Sequence, residues 1–251
     1  MNPPNHLVHY ATDGEVSRRQ ETARMLRQCP IPDAELLENL GLFLNSKTLA
    51  RLKFMDFIYQ QIVEVQGVVM EFGTRWGQNL CHFAALRGLY EPYNRHRKLI
   101  AFDTFGGFPA VGREDGAGPM MASGNYSVTD GYEQYLEALM QFHEAENPLA
   151  HVKKFELVKG DATLTLPAYL EAHPETIVAL AYFDFDLYAP TRKCLEAILP
   201  RVVKGSVIAF DELNDPDAPG ETRALMEVIG LRQVRLQRLR YTSRTSYFIV
   251  E

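Results

Sequence analysis

Two periodicities divide this chain near residue 65. Before it, apolar side chains recur every three or four positions. "CPIPDAELLENLGLF" sets Leu36, Leu37 and Leu40 at helical spacing behind Asp33, a candidate N-cap. "TLARLKFMDFIYQQIVEV" repeats the pattern with Leu49, Leu52, Phe57, Ile58 and Ile62. These two predicted helices precede the first strand and read as an accessory cap or a subunit contact. Residues 1–30 are polar and mixed, and no element is assigned to them.

After it, short and nearly continuous apolar runs alternate with helical stretches. The runs are "GVVMEF", "KLIAFD", "KFELVKGD", "TIVALAYFDFD" and "GSVIAFDE". Strands this uniformly apolar are buried on both faces, as in a parallel sheet built from crossover units. Helices are predicted to start near Trp76, Leu164 and Ala189, with Pro190 suited to a first helical turn. "LRQVRLQRL" and "TSYFIVE" have few signals between them and predict an antiparallel edge. Residues 110–147 interrupt the alternation: a glycine-rich polar stretch leads into the helical "DGYEQYLEALMQFHEAENP". An irregular segment of this length in a compact domain is commonly functional, and it is read as a mobile lid. The expected organisation is a helical extension over 1–64 and an α/β domain over 65–251, a mostly parallel sheet with helices on both faces.

Composition narrows the function. At 251 residues, 46% hydrophobic and 23% charged, the chain can build one large core. The net charge is −6 with both signs interspersed, which argues against a nucleic-acid partner and for a small molecule. Three cysteines without a C-x-x-C pair argue for a reducing, cytoplasmic setting. The N-terminal twenty residues hold no signal-peptide core, and no run approaches the roughly 20 apolar residues of a membrane span.

Acids collect where the strands end. Glu71, Asp103, Asp184 with Asp186, and Asp211 with Glu212 close four of the five central runs, and Asp161 follows the remaining one. Each alone reads equally well as a helix N-cap. As a set they mark the edge of a parallel sheet where ligands bind. "EFGTRWG" adds Gly73 and Gly77 just after a strand, where a ligand can approach the backbone. The stretch is neither a G-x-G-x-x-G turn nor a phosphate loop. Asp103, at the end of the second strand, is placed to accept hydrogen bonds from a ribose diol. Arg75 and Trp76 either contact the cofactor or open the next helix. Six of the seven histidines read as structural or solvent-facing; His143, in the proposed lid helix, is a candidate general base.

Over residues 65–251 these features resemble the class I, Rossmann-like S-adenosylmethionine-dependent methyltransferases. "LIAFDTFGGFP", "YFDFDLYAPT" and "VIAFDELN" look more narrowly like the TylF/MycF (macrocin) O-methyltransferases, which act on antibiotic sugars. The resemblance implies that the Glu71–Gly73 turn, with Thr74 and Arg75, lies against the methionine part of the cofactor. It implies Asp103 and Thr104 at the ribose, Asp161 and Ala162 beside adenine, and Asp184 also against the cofactor. It implies Mg2+ at Asp184, Asp211 and Glu212, the last standing where the family usually has aspartate. A divalent ion suits the chemistry, because a sugar hydroxyl is a poor nucleophile until its pKa is lowered. Hard carboxylate ligands favour magnesium. Asp184, Asp186 or His143 would take the proton. The implied substrate is a deoxysugar hydroxyl in a glycosylated natural product, and a homo-oligomer is expected. A catechol-type methyltransferase and a non-catalytic nucleoside-binding protein of the same fold remain alternatives. A nicotinamide oxidoreductase lacks its G-x-G-x-x-G turn and its Y-x-x-x-K pair.

Overall fold

The structure, a computed structural model, describes residues 12–118 and 120–251. Six strands form one sheet: β1 (Val68–Phe72), β2 (Leu99–Asp103), β3 (Phe155–Lys159), β4 (Val178–Phe183), β5 (Val202–Phe210) and β6 (Ser246–Ile249). Their spatial order is β3-β2-β1-β4-β5-β6. The first five run parallel, and β6 pairs antiparallel with β5 at the edge. The order reverses between β1 and β4, which opens a crevice at their carboxyl ends.

Side-chain alternation sends each strand's residues into two cores. On one face Val69, Leu99, Ala101, Leu180, Tyr182, Val207 and Ala209 meet helices α3 (Ser46–Ile62), α4 (Gln78–Tyr90) and α5 (Tyr132–Ala145). On the other, Met70, Ile100, Ala181 and Ile208 meet α6 (Ala162–Ala172), α7 (Tyr188–Ile198) and α8 (Gly220–Val228). Both faces are covered, which is why β4 is apolar and buried at all six positions.

Four phenylalanines explain why the strand-end acids align. Phe72, Phe102, Phe183 and Phe210 pair in register across four adjacent strands. Their rings stack at 5.2, 4.7 and 5.2 Å between centroids. Each ring is wholly buried on the α6–α8 side. The row fixes the ends of β2, β4 and β5 level with one another, so the acid after each phenylalanine emerges at one edge. In β1 the acid precedes the ring, so Glu71 sits further back from the edge, level with Ala101 and Tyr182.

Several expectations are corrected. The extension expected over 1–64 divides by packing. Only α1 (Asp13–Arg27) and the short α2 (Asp33–Leu36), with the 3-10 turns Leu37–Phe43, bury no residue. Helix α3 instead puts Phe54, Met55, Ile58, Tyr59 and Ile62 into the core. Helix α1 went unassigned because it is polar all round, although Thr12 and Glu15 form a capping box at its start. Asp33 is the first residue of α2 and caps nothing; Pro32 holds the N-cap position. The helical half of the supposed lid is core: Leu136 and Met140 are fully buried, and Glu144 pairs with Arg87 and Lys154. "LRQVRLQRL" is not a strand. Its arginines leave Leu231 and Leu236 no buried face, and it contributes a 3-10 turn and one bridge, Gln237 to Tyr247. His6 and His9 lie outside the described residues.

Candidate active site

A cavity of about 510 Å3 opens at the carboxyl edge of the sheet. Every parallel strand contributes to its wall. After β1 come Gly73 and Arg75, after β2 Asp103 and Thr104, and after β3 Asp161 and Ala162. Asp184 and Asp186 follow β4, and Asp211 and Glu212 follow β5. Three lining residues other than glycine hold left-handed backbone: Arg75, Tyr126 and Asp186, at φ of 48°, 63° and 61°. Backbone strain of this kind concentrates where function constrains a chain.

The β1–β2 side is a backbone cradle tied by one carboxylate. Asp103 accepts from the Arg75 N–H at 2.7 Å and from the Phe105 N–H at 2.6 Å. It therefore joins the glycine turn after β1 to the turn after β2. Burial raises its pKa, against the pull of these backbone donors. The Arg75 guanidinium lies 4.8 Å from the Tyr126 ring centre, and its buried Nε has no hydrogen-bond partner. Asp161 accepts from the Thr163 N–H at 2.9 Å, so it caps α6 while it lines the cavity. It is the one strand-end acid for which the N-cap reading holds.

Glu71 and Thr74 stand behind this wall instead of in it. Both are buried, and both Glu71 oxygens and the Thr74 hydroxyl lack hydrogen-bond partners. Burial pushes the Glu71 carboxyl up to about 8, while the Thr74 and Asn79 side chains pull the other way.

The β4–β5 side crowds five carboxyls: Asp184, Asp186, Asp211, Glu212 and Glu221. Burial, reinforced by mutual repulsion, holds Asp184, Asp186 and Glu221 well above the usual carboxylate range and brings Glu212 to about 7. Two arginines from elsewhere in the chain offset this charge. Arg51, on α3, donates to both Asp211 oxygens at 2.9 and 3.1 Å and reaches Asp184 at 3.5 Å. Arg244, just before β6, pairs with Glu212 at 2.5 Å and Asp215 at 3.0 Å. Glu221 is fully buried at the start of α8 and accepts from two backbone N–H groups: Phe185, between the two aspartates, at 3.0 Å, and Glu212 at 3.2 Å. It braces the two acid loops against each other. Arg51, Arg244 and Glu221 were not singled out from the sequence. His143 does not reach this cavity. It sits in the last turn of α5, where burial and the Arg87 charge lower its pKa.

This chain is similar to CalS11, a calicheamicin methyltransferase. The two are 43% identical over 99% of this chain and 98% of that one, with a TM-score of 0.93. An apo structure of CalS11, there described as a TDP-rhamnose 3'-O-methyltransferase of calicheamicin biosynthesis, gives 40% identity over 96% of each chain and a TM-score of 0.85. The chain belongs to the O-methyltransferase family of CalS11. The O-methyltransferase NovP shares the fold at 16% identity, with a TM-score of 0.61 over 80% of each chain. No protein-family model and no curated protein matches.

As an S-adenosylmethionine-dependent O-methyltransferase, the chain must hold a zwitterionic amino acid joined to a nucleoside. The orphaned polar atoms of the 71–75 turn fit that demand. Glu71 lacks a donor, Arg75 Nε lacks an acceptor, and one turn carries both. The β4–β5 acids fit a hard divalent cation by donor chemistry: all are carboxylates, and the buried Glu212 Oε2 has no partner. Among the described residues, however, no group of three converges at metal-ligand spacing. Arg51 supplies the positive charge between Asp184 and Asp211.

Proposed function

We propose that this enzyme methylates a deoxysugar hydroxyl in natural-product biosynthesis and that it uses Mg2+ to do so. The observation that carries the proposal is the buried carboxylate cluster beside the cofactor cradle, in a chain 43% identical to CalS11. CalS11 acts on TDP-rhamnose at a 3' hydroxyl. The motifs resembling the TylF type support the same substrate chemistry.

In this reading Arg75, on the wall, binds the carboxylate of the methionine end, and Glu71, buried behind the wall, is the candidate partner of its ammonium group. Asp103 and Thr104 take the ribose, and Asp161 and Ala162 flank the adenine. Asp184 and Asp211 would hold the cation, with Glu212 beside them, and its chemistry is to lower the pKa of the acceptor hydroxyl. Asp186 is the residue assigned to take the hydroxyl proton, because it lines the cavity two residues from Asp184. Asp103 fixes the position of the 73–75 turn, and Glu221 fixes the acid loops. The methyl donor and the acceptor oxygen can therefore be held in line, where much of the rate enhancement arises. Self-association through the exposed leucines 37, 40, 42 and 44 belongs to the same proposal.

The test is methyl transfer from S-adenosylmethionine to TDP-rhamnose and to rhamnosides, with and without a chelator. Transfer that survives chelation removes the magnesium, and absence of transfer to any sugar removes the substrate class. Asp184→Ala is expected to abolish transfer and leave cofactor affinity within a few-fold of wild type.

A further inference from the structure

The turn after β4 brings Asp184, Asp186 and Leu187 to the cavity wall. Asp186 is its strained point, at φ 61°, and the N–H groups of Phe185 and Tyr188 lie on either side of it. Glu221 grips the first at 3.0 Å. Asp115 grips the second. Its Oδ1 accepts from the Tyr188 N–H at 2.5 Å, and its Oδ2 accepts from the Gly112 N–H at 2.6 Å. Asp115 is 2% exposed and lies 73 residues from Tyr188 in sequence. Tyr188 opens α7, and the N-cap residue there, Leu187, offers no side-chain acceptor. A local serine or aspartate would serve the helix alone. A distant acid serves the helix and also fastens another segment to it.

That segment joins β2 to α5 and supplies Phe108, Pro109, Met120 and Tyr126 to the same cavity. Near the sheet it is closed by backbone bonds of 2.9 Å, from the Phe108 N–H to Asn125 and from the Gly124 N–H to Phe108. Further out it packs against the approach to α8. A β-carbon on Gly118 would lie 3.2 Å from the Asp217 carbonyl oxygen. One on Gly220 would lie 2.5 Å from both the Asp186 carbonyl oxygen and the Tyr188 nitrogen. Left-handed backbone at a residue such as Asp186 persists only where its surroundings over-determine it. Here two buried carboxylates and the start of α8 do so. We propose that Asp115 is a positioning residue for methyl transfer: through the Tyr188 N–H it keeps the Asp186 turn in shape and joins it to the wall of Phe108, Pro109 and Met120. Acid and wall are placed together, so an acceptor resting on that wall meets Asp186 at a fixed distance. This rests on the reading of Asp186 as proton acceptor and deepens it. Without Asp115 the turn relaxes and the wall parts from the acid, while the cofactor cradle at Gly73, Asp103 and Asp161 stays as it is.

The test compares the wild type with D115A, D115N and I198V at a temperature where each is folded. It reads methyl transfer to TDP-rhamnose, binding of S-adenosylhomocysteine, and amide hydrogen exchange in residues 104–118 and 185–188. I198V trims a buried side chain at the far end of α7 and lowers stability without touching the turn. D115N keeps an acceptor for only one of the two N–H groups, and it carries the test if D115A does not fold. In D115A turnover falls about ten- to a hundredfold, the scale of losing a buried charge-assisted hydrogen bond. Affinity for S-adenosylhomocysteine stays at the wild-type value. Exchange quickens in both segments together, and D115N moves in the same direction. I198V keeps its turnover. Full turnover in D115A and D115N, or an equal loss in I198V, overturns the proposal. Exchange that quickens in 104–118 and not in 185–188 also overturns it. If the wild type leaves TDP-rhamnose unmethylated, that substrate falls, and the exchange pattern alone decides the role of Asp115.

Discussion

Arg51 holds Asp211 by both carboxylate oxygens, at 2.9 and 3.1 Å, across 160 residues of sequence. Burial works against the guanidinium charge, but Asp211, Tyr182 and Asp184 outweigh it and raise the Arg51 pKa. The contact joins a helix outside the sheet to the acids proposed to bind a metal. A divalent cation on Asp184 and Asp211 has to share them with this guanidinium or displace it. Arg51→Ala is therefore expected to bind Mg2+ more tightly than wild type in calorimetry on the protein alone. In chelator its thermal stability should fall, because a buried acid loses its partner. Unchanged Mg2+ affinity would show that the cation, if it binds, sits elsewhere.

Glu221 makes a second prediction, since its two oxygens serve the backbones of both acid loops. Glu221→Gln keeps the volume and leaves one of the two N–H groups facing a donor. An unsatisfied buried group costs about 1–3 kcal/mol. Turnover should fall roughly tenfold or more if that cost is felt in the transition state. Affinity for S-adenosylhomocysteine should hold, because the cradle at Gly73, Asp103 and Asp161 is untouched. Parallel loss of turnover and cofactor affinity would mean that Glu221 supports the fold alone.

The sheet and its functional edge were legible because they are local. Phe102-Asp103, Phe183-Asp184 and Phe210-Asp211 repeat one two-residue pattern, and the phenylalanine row converts it into alignment. The braces were not legible, because each joins distant segments with no periodicity to announce it. Arg51 lies 133 residues from Asp184 and Glu221 lies 36 from Phe185. In α3 the apolar pattern was visible, but nothing in it said that the stripe faces the sheet. His143 looked eligible only because the helix carrying it was assigned to a lid. Leu136 and Met140 fasten that helix into the core.

Glu71 predicts a pH dependence. Its folded pKa of about 8 lies above its ordinary value of 4.5. The folded protein thus holds a proton that the unfolded chain releases between those values. Its contribution to stability is fully present below about 4.5 and is lost as pH rises towards about 8. Urea denaturation of the cofactor-free protein should show this decline, and Glu71→Gln should make it shallower by one proton's share, the raised acids of the β4–β5 side keeping the remainder. If Glu71 meets the cofactor's ammonium group, binding S-adenosylhomocysteine at neutral pH expels the proton. Calorimetry in two buffers of different ionisation enthalpy would detect the release. A slope identical in Glu71→Gln would refute the assignment.

Gly73 tests the crevice itself. Its φ is +94°, and a β-carbon there would lie 2.0 Å from the Asp184 carbonyl oxygen. The turn after β1 and the start of the acid loop after β4 touch through this missing side chain. Gly124 has φ +82°, and a β-carbon added to it would meet nothing within 4 Å. Both alanine variants incur the left-handed backbone penalty, about 1–2 kcal/mol. Only Gly73→Ala must also push β1 from β4, parting the cofactor cradle from the carboxylates. Gly124→Ala should remain folded and bind S-adenosylhomocysteine. Gly73→Ala should lose clearly more stability and lose cofactor binding. Equal losses in the two variants would mean that the close approach at the switch point does not organise the site.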